Sequence, residues 1–137
     1  MTIERINPAG LHRTPGYHHV TISTAQRYAH LAGQSPLDED GVVVGTDDLV
    51  AQVNQVAHNI AVALDAVGAT PEDVVRTVIY VASTERADLA LVWTALTRSE
   101  VGAALSTAST LLGVAQLGYP GQLVEVDITA ALPDAAG

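Results

Sequence analysis

The chain has 137 residues, 48% of them hydrophobic, with no Cys and six basic residues, all Arg, against fifteen acids. That length fits one domain, 1–137; the lack of Cys excludes disulfides, thiolate nucleophiles and Cys-based zinc sites, and the lack of Lys excludes a Schiff-base lysine. A formal charge of -9 repels a phosphate backbone and sets nucleic acid aside as a general partner; no 18-residue uncharged apolar run and no signal-like apolar centre over Met1 to Gly10 set aside the membrane and secretion, so a cytoplasmic protein is expected.

Thr2 to Ile6 predicts a short strand, and the Pro- and Gly-containing stretch from Asn7 to Gly16 a loop. His18 to Ser23 and Arg27 to Ala32 are strand-like, three residues apart, as in a hairpin, giving a first meander. Gly33 to Gly41 then turns over the surface. From Asp47 to Val67, Leu49, Val53, Val56, Ile60, Leu64 and Val67 recur at helical spacing, with Thr46 as the expected cap and Gly68 as the stop. Asp48, Gln52, Gln55 and Asn59 form a polar stripe expected to meet water or a partner.

Thr70 to Asp73 reads as a capped turn with Pro at its first helical position. Val74 to Ala82 is a buried strand on which Arg76 and Tyr80 share a face, and Thr84 to Val101 a second helix carrying Leu89, Val92, Trp93 and Leu96. Two apolar strands joined by a Gly/Pro turn, from Ala108 to Leu132, are expected to close the chain as a hairpin. The order predicts α+β architecture, with two helices on one face of a mixed sheet. The other face, with Leu111, Leu112 and Val114 in the last hairpin, then needs a second copy, which predicts a homo-oligomer.

These residues resemble the RidA family, also called YjgF or reactive intermediate deaminases. The resemblance is carried by Tyr17, where the family has a Tyr near the first strand, AGQSPLDEDG from Ala32 to Gly41, Gln52 and Asn59 on the helix, GATPEDVVRTVIYV from Gly68 to Val81, and GVAQL with LVEVDITA between Gly113 and Ala130. It implies a chorismate-mutase-like fold packed as a homotrimer with intersubunit clefts, and a reaction that hydrolyses enamine or imine acids to keto acids and ammonia. It also implies an Arg at the start of the penultimate strand that clamps the substrate carboxylate. That position holds Ser109 or Ala108 here, and Trp93 stands roughly where typical members have Asn; the chain resembles an arginine-lacking branch.

Glu125 lies between Val124 and Val126 and shares its strand face with Leu123 and Asp127. It is either a solvated carboxylate or one that holds a water for attack. His18 and His19 point to opposite faces of a strand and cannot share one metal ion; with no ligand spacing elsewhere, no metal and no cofactor are expected. The expected catalytic set is Glu125, His19 and Tyr17, with Gln34, Ser109 and Tyr119 binding a small-molecule ligand. His19 enters over His18 only through the resemblance. The function so read is hydrolytic deamination of an enamine, imine or related C=N compound; the alternative is a non-catalytic binding or regulatory trimer.

Overall fold

A computed structural model describes residues 1–135. Six strands and two helices follow in the order β1 (Thr2–Ile6), β2 (Val20–Thr24), β3 (Tyr28–His30), α1 (Leu49–Ala66), β4 (Val74–Val81), α2 (Arg86–Thr97), β5 (Ala108–Gly113) and β6 (Val124–Ala131). The α+β architecture expected from the sequence is the one observed, with both helices on one face of a mixed sheet. No helix among the described residues is long and apolar enough to cross a membrane.

β4 is the axis of the fold. β5 runs parallel on one side of it, β6 runs antiparallel on the other, and β3 joins the far edge of β6. Two sequence expectations are corrected here. β5 and β6 are not a hairpin, because β4 lies between them: α2 carries the chain from β4 to its parallel neighbour, and the segment from Val114 to Leu123 then crosses to the other side. Nor do β2 and β3 pair. β2 pairs with β1, Thr21 facing Arg5, while β3 pairs with β6, Ala29 facing Ala130.

The β1–β2 ribbon is tied to the main sheet at its β5 edge. His18 bridges Ala108, the Thr21 and Thr107 hydroxyls meet at 2.6 Å, and the Thr107 hydroxyl donates to the Val75 carbonyl at 2.9 Å. Val75 sits in the register shift between Val74 and Arg76, which leaves its carbonyl available to Thr107.

Alternation decides the two faces. Thr77, Ile79 and Val81 on β4 and Val124, Val126 and Ile128 on β6 are buried beneath Val53, Val56, Ile60 and Leu64 of α1 and Val92 and Leu96 of α2. Arg76, Val78, Tyr80, Glu125 and Asp127 face the other way, and no helix covers them. Leu112 belongs to this open face and is 42% exposed, whereas Leu111 turns to the helix side and packs against the core.

α1 begins later than its apolar period indicates. Asp47 takes φ 61°, and Asp48, not Thr46, caps the helix by accepting from the Ala51 N–H at 3.0 Å. α2 ends at Thr97, short of Val101; Gly102 opens a 3-10 segment where a Cβ would strike the Thr97 carbonyl. The turn at Pro71–Asp73 forms as expected, with the Asp73 carboxylate accepting from the Thr70 N–H at 2.9 Å.

The polar stripe of α1 is where tertiary structure departs furthest from the sequence reading. Gln52 is fully buried: its Oε1 accepts from the Leu123 N–H at 2.7 Å, and its Nε2 donates to the Gly45 and Gly121 carbonyls. Asn59 donates to the Ser35 and Leu37 carbonyls and accepts from Gln55 at 3.0 Å. The stripe is therefore an internal brace. It holds the Gly33–Val44 and Gly118–Leu123 loops by pairing backbone groups such as the Ser35, Leu37, Gly45 and Gly121 carbonyls and the Leu123 N–H.

Candidate functional site

The braced loops form a cleft of about 630 Å³ whose lining includes Gln34, Ser35, Asn59, Tyr119 and Glu125. Three of the residues singled out in the sequence, Gln34, Tyr119 and Glu125, are thus brought together. Glu125 stands on β6 opposite Tyr80, on the sheet face away from the helices. Its Oε1 accepts from Gln122 Nε2 at 3.2 Å and from the Ser35 hydroxyl at 3.3 Å; Gln122 also donates to Ser35 Oγ at 2.9 Å. Gln122 is 4% exposed and is itself fixed by the Tyr119 N–H, which donates to its Oε1 at 3.1 Å. The carboxylate is therefore held by neutral donors, with no cation among the described residues within ion-pair reach.

Gly33 completes the arrangement. A Cβ there would overlap Oε2 of Glu125 and lie 2.7 Å from its Cδ, so close backbone approach at Gly33 is what gives the carboxylate its place. Gln34 contributes mainly through its backbone, which exchanges hydrogen bonds with Val126 at 2.7 and 3.1 Å; its side chain donates to the Ala32 carbonyl. Tyr119 is 48% exposed and forms a wall.

Tyr17 and Ser109 lie elsewhere. They line a second cleft, of about 680 Å³, together with Arg86, Leu89, Trp93 and Leu111. The Tyr17 and Trp93 rings meet edge to face, centroids 6.0 Å apart at 89°. His19 stands beside Tyr17, ring centroids 5.8 Å apart, and its Nε2–H donates to the His12 carbonyl at 2.8 Å, which leaves Nδ1 as the basic nitrogen. β2 begins only at Val20, so the two histidines lie outside it; His18, in the isolated bridge to Ala108, donates from Nδ1 to the Ser106 carbonyl instead of joining the His12, Tyr17 and His19 rings. The Ser109 hydroxyl has its single proton directed at the Leu105 and Thr107 carbonyls, both at 3.0 Å, so toward a ligand it can only accept.

Sequence reasoning missed three members of these sites. His12 lies in the first loop, yet its Nε2 meets the Tyr17 hydroxyl at 3.0 Å and its ring packs 4.7 Å from that of His19. Arg86 belongs to the first turn of α2. Gln122 lies just past the Gly/Pro turn. For Gln122 a signal existed: it is a polar residue one step from an apolar strand in the run GQLVEV. Among the described residues no group of three or more His, Asp or Glu side chains could hold a metal ion.

The family model described as Endoribonuclease L-PSP matches residues 10–132. A solved structure of the Rid-family protein YyfB from Yersinia pestis, described as of unknown function, is 34% identical; the match covers 96% of this chain and 100% of that one with a TM-score of 0.85. A YjgF-family protein from Neisseria meningitidis is 25% identical over 98% of both chains, with a TM-score of 0.60. A YjgF-family member from Mycobacterium tuberculosis is 25% identical over 96% of this chain and 100% of that one, with a TM-score of 0.57. No curated protein matches. A family match that spans both clefts, with a likeness over nearly the whole chain to Rid and YjgF structures, leaves one assignment: the chain belongs to the Endoribonuclease L-PSP family, to which its resemblance to RidA had pointed.

Proposed function

We propose that this chain hydrolyses a small enamine or imine, or a related C=N compound, in a cleft completed between the subunits of a homotrimer. The single observation that carries the reading is the setting of Glu125: Oε1 is held by Gln122 and Ser35, and Oε2 lies against Gly33 without a protein donor among the described residues. A carboxylate so placed can hold a water and take its proton. An enamine first takes a proton on its β-carbon to become the imine; the water oxygen then bonds to the C=N carbon, the π pair moves to nitrogen, which takes up a proton, and as the adduct's hydroxyl proton passes to nitrogen the C–N bond breaks, giving a carbonyl and ammonia. His19 and Tyr17 pass protons on the opposite wall.

The trimer is supported by two features. The open sheet face presents Val78, Tyr80 and Leu112 to solvent, and within one chain the Glu125 cleft and the Tyr17 cleft share no residue. Apposition of the two walls from neighbouring subunits supplies both halves of the site. Glu125→Gln tests the chemistry: release of ammonia from enzymatically generated 2-aminoacrylate is expected to fall by about 10² to 10⁴, and an unchanged rate would remove Glu125 from the mechanism.

A second reading has its own observation. At the strand position where typical RidA proteins have Arg, the Ser109 proton is spent on backbone carbonyls, so that position grips no carboxylate. This favours a binding or regulatory trimer, for which ligands would bind across a panel of imines and amides without turnover. RNA cleavage, which the family description names, is not favoured by a formal charge of -9.

A further inference from the structure

The Trp93 cleft has one charged side chain in its lining, Arg86, in a chain that is otherwise strongly acidic. Its guanidinium is in no ion pair, since the one ion pair among the described residues joins the Met1 amino group to Asp134. Other arginines are engaged or placed elsewhere. Arg5 donates to the Glu72 and Val74 carbonyls, Arg76 to the Ala108 carbonyl and the Thr110 hydroxyl, and Arg13 lines a different cleft, beside His12. The Glu125 cleft has the opposite character: Asp38, Glu39 and Glu125 line it, with no cation. An anionic group entering a site built from these two walls is drawn to one end of it, the Arg86 end.

The rest of that wall is apolar. Tyr17 and Trp93 stand nearly perpendicular, so a flat ring packs on the face of one and meets the edge of the other, and Leu89, Leu111 and Pro15 close the corner. Thr110, whose oxygen accepts from Arg76 at 2.8 Å, keeps its own hydroxyl proton to donate.

We propose that Arg86 is the carboxylate-binding residue of this site, and that its ligands are monocarboxylates with an aromatic or branched aliphatic body. Resting on the hydrolytic reading above, the substrate is then an enamine or imine acid with such a body. The handle comes from the first turn of α2 instead of the start of β5, so the carboxylate lies at the helix side of the cleft, with the apolar body between Trp93 and Leu111.

Trp93 is the sole tryptophan, and its fluorescence in the intact protein reports directly on this cleft. Phenylacetate and phenylacetamide, alike in shape and differing in charge, are titrated against the wild type, Arg86→Gln, Arg86→Lys and Glu125→Gln. The acid is expected to bind about tenfold tighter than the amide to the wild type, equally with the amide to Arg86→Gln, and still in preference to it in Arg86→Lys and Glu125→Gln. Equal affinities in the wild type, absence of binding by the acid, or a preference that survives in Arg86→Gln would each overturn the assignment. The readout is binding, so a wild type that prefers the acid through Arg86 yet releases no ammonia defeats the hydrolytic reading and leaves this one standing.

Discussion

Gly33 and Glu125 compete for one volume: the space a Cβ would take on Gly33 is filled by Oε2 of Glu125, with Cδ 2.7 Å away. Any side chain at position 33 must displace the carboxylate, and because the displaced atoms are the far end of a flexible side chain, the backbone need not move. Gly33→Ala is therefore expected to fold with stability within about 1 kcal/mol of wild type, since the stiffer unfolded chain offsets lost contacts, yet to lose as much ammonia release as Glu125→Gln. In a double-mutant cycle, Gly33→Ala should add nothing further once Glu125 is already Gln. An additive loss would mean that Gly33 acts on something other than the carboxylate.

Gln122 ties the Tyr119 turn to the same carboxylate. Gln122→Leu removes the donor to Oε1 and to Ser35, and the acceptor for the Tyr119 N–H, at a position only 4% exposed. Urea unfolding is expected to show a loss of about 1 to 3 kcal/mol at an unchanged m-value. A loss below about 0.5 kcal/mol would show that water replaces the amide without cost.

The corresponding test of the brace is Gln52→Leu. It strips partners from the Leu123 N–H and from the Gly45 and Gly121 carbonyls around a fully buried side chain. We expect at least about 2 kcal/mol of destabilisation, together with faster hydrogen exchange confined to the two loops that Gln52 joins. Uniformly faster exchange across β4 and β6 would mean that the residue supports the core and not the loops.

Assembly is checked on the open sheet face. In light scattering at micromolar concentration the wild type is expected at the mass of three 14.2 kDa chains, and Tyr80→Glu, which places a charge amid Val78 and Leu112, at the mass of one. A trimeric Tyr80→Glu would move the interface elsewhere.

Much of the fold was legible because periodicity is local. The apolar spacing of α1 and the near-continuous apolar run of β4 each identify their element without knowledge of the rest. Pairing was not legible. The three residues between β2 and β3 have the spacing of a hairpin, but β3 buries Ala29 against β6, a choice set by a strand about a hundred residues later. The same limit applies to the site. Glu125 stands out as a carboxylate between valines, and Gln34 and Tyr119 do join it; Tyr17 and Ser109 line another wall, because the sheet order puts β4 between β5 and β6. The amides of α1 were read as facing water or a partner because polarity along a helix does not distinguish either from unpaired loop carbonyls.

Four side chains that tie the two loops to the rest of the fold, Gln52, Gln55, Asn59 and Gln122, are carboxamides, while the Asp38 carboxylate, which accepts from the Asp40 and Val42 N–H groups, acts within one loop. Carboxamides neither gain nor lose a proton across the range in which carboxylates and imidazoles titrate, and their hydrogen bonds are little affected by ionic strength. The amide ties from α1 to the two loops are thus electrically silent. A pH–rate profile measured on this protein would carry no contribution from ionisation of those α1 ties.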